Sequence, residues 1–407
     1  MFDLFTASEP FYPMAMHPIL RHGLFYALIY IGTGVSMPYV PVWFKSVGLT
    51  APQIGVILSA PMMGRLLAGP LLAIWADGFR MRRTPLVILG AVALAAYGSL
   101  LVFKGFWFWM VGWFVAATAI STISPLADVL TLIQSRDQGF QYTLARGFGS
   151  LAYIVGNVVG GVVIAATHPF MSVVWSAVAG GVCGLGGLML LPGTPVHTVR
   201  TGAAPVSAWA ATLSLFRNRT LMLALATISL IQGSHALYYA FSAIAWTAHG
   251  IPAGYVGLLW GTRVGAELAF FWWGGAVRRR AGPVGLVLLG GVGAVIRWTA
   301  LSMSPPLWLL FPLQCLHALT FTATYVGGLE LVERLSPAAQ ASAAQTLSAS
   351  LSYGLATGVA TMSCGWLYAH FHASAYLVMC GIAVIGVACV LPLKAMTASA
   401  SRAAARV

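Results

Sequence analysis

Eight ionisable side chains stand inside long apolar runs of this sequence: Arg65, Asp128, Arg146, His235, Arg263, Glu267, Arg297 and His317. A charge at the centre of a bilayer is expensive, so each is a candidate for function by default. Arg21 falls near a run's end, where a long side chain can snorkel to the interface. Pairing is the plainest use for the rest. Asp128 would pair with Arg146, and Glu267 with Arg297 or with Arg263 one turn away. Arg65, Arg146, Arg263 and Arg297 nevertheless outnumber Asp128 and Glu267, which leaves a formal excess of positive charge. A dry, unpaired guanidinium carries an uncompensated desolvation cost. Either an anion visits it or water fills the cavity. A carboxylate gripped bidentately by Arg meets the first condition. A neutral ligand, with the Arg solvated or structural, meets the second.

Coupling to a proton needs a group that changes protonation as an Arg moves toward or away from it. Glu267, within reach of Arg263 and Arg297, is the first choice and Asp128 the second. His317 titrates near neutrality when unperturbed, although a lone membrane histidine is as well read as a hydrogen-bonding group. Gln232, His235, Tyr238 and Tyr239 form a polar and aromatic cluster. It either stacks on a planar ring or seals a helix crossing. No HExxH, HxxxH or GxSxG pattern accompanies these residues, which argues against an enzyme. The five cysteines lie in apolar runs without CxxC spacing and read as small core residues.

The elements that position such groups must lie in lipid. Hydrophobic residues make up 59% of the 407 and charged residues 7%, and mean hydropathy is +0.87. A soluble domain needs roughly a quarter of its residues charged. Hydropathy predicts twelve spans, at about 18–43, 52–76, 84–103, 106–134, 142–166, 171–191, 221–247, 254–276, 283–303, 306–330, 341–369 and 374–394. The fold class expected is therefore an all-α membrane protein with twelve helices in two six-helix bundles. Its parts would be 1–192, a cytoplasmic linker 193–219, and 220–407. Residues Met1–His17 carry two acids, no Lys or Arg, and Pro10 and Pro13, which is not the pattern of a cleavable signal.

The formal charge of +13 would suggest nucleic acid in a soluble chain. Its distribution says otherwise. With the N-terminus inside, one face holds Arg80, Arg82, Arg83, Arg136, Arg200, Arg217, Arg219, Arg278, Arg279, Arg280, Arg334, Lys394, Arg402 and Arg406, and the other only Lys45 and Lys104. This bias follows the positive-inside rule and predicts cytoplasmic termini in an inner (plasma) membrane.

The halves repeat. Gly48–Gly55 before the second span reappears as Gly250–Gly257 before the eighth, a shift of 202 residues that also sets Arg65 opposite Glu267. Parallel repeats of this size mark transporters whose halves rock about a central site.

Asp77–Gly78–Phe79–Arg80–Met81–Arg82–Arg83 resembles the signature loop of the major facilitator superfamily. The resemblance implies that Asp77 and Arg80 serve a gate, the acid capping a neighbouring helix. Gly78, and the lack of a glycine before Arg82, depart from the usual pattern. Further segments resemble the family of 3-phenylpropionate permeases: Gly64–Arg65, Pro125 to Asp128, Tyr142 to Arg146, Gln232 to Ile244, Ala266–Glu267, Arg297–Trp298 and Leu316–His317. A more distant likeness is to the lactose permease family. It implies sugar-type contacts at Asp128 and Arg146, and coupling through Glu267, Arg297 and His317. Thr320 stands where that family has a proton-carrying Glu, and Arg65 and Arg263 are additions.

Together these readings lead to the expectation of proton-coupled import of a small, aromatic carboxylate. Arg65, Asp128, Arg146, Gln232, His235, Tyr238, Tyr239 and Arg263 would bind it. Glu267, Asp128, Arg297 and His317 would couple the proton. No cofactor is expected beyond the proton gradient, and the partners are substrate, proton and lipid, with the chain a monomer. A sugar or nucleoside symporter and a drug exporter are the alternatives; a channel fits the repeat poorly.

Overall fold

The computed structural model describes residues 16–195 and 214–404, with side chains through 398. Residues 1–15 and most of the expected linker, including Arg200, lie outside that range, as do Arg406 and the side chain of Arg402. The described residues form helices almost throughout, because in hydrocarbon each backbone N–H and C=O must be answered within its own segment.

The first half runs α1 (Pro18–Ser46), α2 (Ala51–Asp77), α3 (Arg83–Val102), α4 (Phe106–Gln138), α5 (Tyr142–Ala166) and α6 (Met171–Met189). The second runs α7 (Arg219–Gly233), α8 (Ala236–Ala248), α9 (Ala253–Trp273), α10 (Gly275–Ser302), α11 (Leu307–Cys315), α12 (Thr324–Leu335), α13 (Ala341–Ala349), α14 (Thr357–Phe371) and α15 (Tyr376–Ala404). Short interruptions split three of the passes expected to be continuous. Ser234 and His235 separate α7 from α8, and π-helical turns at Ala318–Ala323 and Ser350–Ala356 sit between α11 and α12 and between α13 and α14. With these joined, the twelve expected passes are all present among the described residues. Ten stretches are long and apolar enough to cross a membrane by length and composition. The two counts differ for clear reasons: Arg263 and Glu267 lower the apolarity of α9, and the last stretch, Ala338–Ala398, is broken at His372–Ala375.

Two compact units emerge. Among the described residues, unit 1 holds 16–46, 67–195 and 253–257, and unit 2 holds 47–66, 214–252 and 258–404. In unit 1, α1 packs on α4, α5 and α6, and α3 on α4 and α6. Small residues allow these approaches, as is usual where lipid removes the hydrophobic drive between helices. In unit 2, α10 packs on α12 and α15, and α15 on α7.

The sequence repeat has a structural counterpart. Gly48 and Gly250 both take positive φ, 91° and 81°, in the turns before α2 and α9, a conformation that favours glycine. One heptad on, both repeats bring backbone close. In unit 2 a Cβ on Gly55 would meet Gly365 at 3.0 Å, and in unit 1 a Cβ on Gly257 would lie 2.1 Å from the Asn157 carbonyl oxygen. Beside Gly257 the Tyr39 hydroxyl donates to the carbonyls of Asn157 (3.1 Å) and Ala253 (2.9 Å).

Gly257→Val therefore cannot keep this approach. We expect it to cost ~1–3 kcal/mol through overpacking, read as a lowered melting temperature of the purified protein. Gly254→Ala, whose nearest neighbour would be a Val162 methyl at 3.8 Å, should leave the melting temperature unchanged or raise it.

Candidate functional site

The buried charges gather in two clusters, one per unit. In unit 1 the Asp128 carboxylate on α4 is held from α1 and α5. Tyr26 donates to its Oδ1 at 2.6 Å and Tyr142 at 2.9 Å, while Arg146 Nε stands 3.7 Å from the same oxygen. The expected Asp128–Arg146 pair forms, with both side chains 31% exposed. The Arg146 guanidinium lies 4.3 Å from the centroid of the Tyr30 ring and 5.3 Å from that of Tyr26, and also donates to the Tyr30 hydroxyl. Tyr30 in turn bonds Ser124 at 2.7 Å. Gly149 makes room for this arrangement, since a Cβ there would lie 2.7 Å from the Tyr30 ring. One acid and one base balance in this cluster.

In unit 2 the arrangement departs from simple pairing. Arg297 does not reach Glu267 directly; His317 stands between them. Arg297 Nη1 is 2.7 Å from His317 Nδ1, Nη2 donates to Gln314 Oε1 at 2.8 Å, and Nη1 reaches Thr320 Oγ1 at 3.5 Å. Glu267 Oε1 is 3.2 Å from His317 Nε2. A guanidinium only donates. Nδ1 must therefore be the accepting nitrogen, the ring proton sits on Nε2, and Nε2–H donates to Glu267. Arg263 Nη1 stands 3.4 Å from the same Nε2; with the proton on that nitrogen the contact is not a hydrogen bond, and it sets a second positive charge beside the atom that Glu267 faces. An imidazolium at His317 would have to break the bond from Arg297.

His235 is accounted for in the same way. Its Nδ1 faces the carbonyls of Ile231 (3.1 Å) and Gln232 (3.2 Å) and so carries the proton. Nε2 then accepts from the Thr320 hydroxyl at 3.0 Å, leaving the Thr320 oxygen to accept from Arg297. Fully buried, with both nitrogens used, His235 positions Thr320 and is not available to a ligand as expected. Tyr238 is also fully buried. One face stacks on Trp260 at 5.3 Å and Arg297 lies 4.5 Å from its centroid, so its ring is filled by the protein's own groups. Tyr239 is half-buried and lies 3.5 Å from His317 Nε2 through its hydroxyl. Gln232 donates to the Tyr353 hydroxyl at 3.2 Å and the Phe321 carbonyl at 3.4 Å. Arg263 rests over Trp260 at 4.7 Å and Tyr239 at 5.6 Å. Among the described residues the buried Tyr238 hydroxyl, Trp260 Nε1 and Gln232 Oε1 have no hydrogen-bond partner. Such orphans are rare in native interiors and suit a polar ligand or water.

Arg65, expected at depth, lies exposed on α2. Asp77 and Arg80, at and beyond the end of α2, are exposed as well. The loop is fixed instead by Arg83, whose Nη1 donates to the Leu191 carbonyl at 3.2 Å, and by Arg82 N–H to Thr194 O at 3.0 Å. Sequence reasoning missed Tyr26, Gln314 and Tyr353. Tyr26 precedes Tyr30 by one helical turn, a legible signal; nothing marked Gln314 or Tyr353.

Paired charges and orphaned donors in a bundle of lipid-crossing helices define a multi-pass membrane transporter. The chain belongs to the MFS_1 like family, whose pattern matches residues 19–378. It is 27% identical over 371 residues to the "Probable 3-phenylpropionic acid transporter" of Escherichia coli (strain K12), covering 88% of this chain and 93% of that one. It is 26% identical over 380 residues to the maltose permease of Geobacillus stearothermophilus, covering 91% and 93%. The fold matches the crystal structure of nucleoside transporter NupG with a TM-score of 0.81 at 14% identity, over 93% of this chain and 99% of that one. The D-xylose–proton symporter follows at 0.65 and 16%, over 92% and 96%.

Arg297→Met would leave the buried Gln314 Oε1 and His317 Nδ1 unanswered. At ~1–3 kcal/mol for each stranded group, we expect a markedly lowered melting temperature. Gln314→Leu combined with Arg297→Met should recover part of it.

Proposed function

We propose that the chain is a secondary active transporter coupling proton influx to uptake of a small aromatic carboxylate such as 3-phenylpropionate. The halves 1–192 and 220–407 would alternate access around the two clusters. One observation carries the reading: in unit 2, Arg297 on His317 Nδ1 and Arg263 beside Nε2 stand against the single carboxylate of Glu267 around one histidine ring. The Asp128–Arg146 cluster is balanced, so, Arg65 aside, the excess positive charge inferred from sequence lies here. A carboxylate ligand neutralises it with charge-assisted bonds. Likeness to a 3-phenylpropionic acid transporter supports the same class.

Arg263, over Trp260 and Tyr239, holds the carboxylate, and Tyr239 meets the ring. Glu267 carries the proton. Displacing Arg263 from His317 toward a bound anion changes the positive charge near Glu267, and that change links the two ligands. Arg297 and Gln314 hold His317 in its tautomer. Arg146 and Asp128 form the ion pair of unit 1, and Asp77 and Arg80 serve the gate loop.

A neutral sugar is the second reading, favoured by the likeness to a maltose permease. A thermal-shift screen separates the two: aromatic carboxylates should raise the melting temperature and maltose should not.

Glu267→Gln should retain counterflow of labelled 3-phenylpropionate in proteoliposomes while losing uphill accumulation driven by a pH gradient. Normal accumulation in this variant would remove Glu267 from the coupling role. Arg263→Gln should weaken carboxylate affinity by roughly tenfold or more, the loss expected for one charge-assisted contact.

A further inference from the structure

A cavity of about 310 Å³ lies in unit 2 apart from the charged cluster, near the lower end of the ~300–1,000 Å³ typical of small-molecule sites. Tyr325, Tyr353, Gln345, Thr346, Ser348 and Ala349 contribute to its lining, which contains no Asp, Glu, Lys, Arg or His. No cationic group in its lining would neutralise a carboxylate. Two phenol rings and several uncharged polar groups suit a planar ring with a neutral substituent.

This cavity is joined to the charged cluster by an aromatic wall. His317, Phe321 and Tyr325, spaced four residues apart, stack nearly parallel across the π-helical turn: centroids 5.2 Å apart at 5° for the first pair and 6.2 Å at 4° for the second. The Tyr353 ring, on the second π-helical turn, stands 6.2 Å from Phe321. Gln232 ties the wall together by donating to the Phe321 carbonyl (3.4 Å) and the Tyr353 hydroxyl (3.2 Å). Single π-turns inside helices occur frequently at functional sites. Both π-turns of this chain's described residues border the wall or the cavity.

We propose that this cavity is a second binding station, selective for an uncharged aromatic ring. The ring stack from His317 to Tyr325 would be the surface along which cargo passes between the station and the Arg263–Glu267 cluster. The passage of cargo rests on the transport reading above; the binding of a neutral ring does not.

The test uses 3-phenylpropionamide, which keeps the ring and chain and lacks the carboxylate. The purified full-length protein is titrated with it by ligand-observed saturation-transfer NMR and by calorimetry. Saturable binding is expected, weakened about tenfold or more by Ala349→Trp, which fills the cavity from an exposed position, and by Tyr325→Ala. Thr346→Trp serves as a second plug should either variant lose its cooperative melting transition. Absence of saturable binding to the unmodified protein, or equal binding by the folded variants, overturns the station. Counterflow of labelled 3-phenylpropionate is measured in parallel. If it is absent while the amide binds and the plugs abolish that binding, the transport reading fails and the station stands.

Discussion

Arg297 is the constraint around which the second unit is arranged. Its side chain is fully buried, and a guanidinium taken out of water must find acceptors and electron-rich faces or be destabilising. His317, Gln314 and Thr320 supply the acceptors, and the Tyr238 and Trp298 rings lie 4.5 and 4.9 Å from it. Each supplier is fixed by what it gives. His317 must carry its proton on the far nitrogen, facing Glu267. Thr320 must donate to His235, which is tied to two backbone carbonyls. The breaks at Ser234–His235 and at the Ala318–Ala323 turn place these groups where continuous helices would turn them elsewhere.

That chain of donors has only one end at which the state can change. Arg297, Gln314, Thr320 and His235 are each committed within the fold. Glu267, at 19% side-chain exposure, and Arg263, which lies beside His317 Nε2 without a bond to it, remain adjustable. A buried network with one adjustable edge is what coupling requires: two ligands, a proton and an anion, acting on one local charge balance. The first unit holds an acid–base pair satisfied by two phenols and offers no such imbalance.

Much of this was legible in the sequence. The twelve passes follow from runs of apolar residues, and the repeat from Gly48–Gly55 and Gly250–Gly257, whose glycines proved to share positive φ and close backbone approach. The Asp128–Arg146 pair was read from two opposite charges in consecutive spans. What was not legible came from helix irregularity. Hydropathy sees a pass as one cylinder, so the π-turns that align His317 with Phe321 and Tyr325 leave no trace in it. Pairing by charge alone likewise offered Glu267 either Arg297 or Arg263, because a neutral histidine that both accepts and donates is invisible to a count of charges.

The central claim is that one proton-carrying acid and an excess guanidinium together move a carboxylate uphill. Its most direct test is accumulation of labelled 3-phenylpropionate in proteoliposomes under an imposed pH gradient, with protein-free liposomes to subtract the passive distribution of a weak acid. Accumulation well above the protein-free level, collapsing when a protonophore is added, is expected. Accumulation equal to the protein-free level, or unchanged by the protonophore, would contradict it.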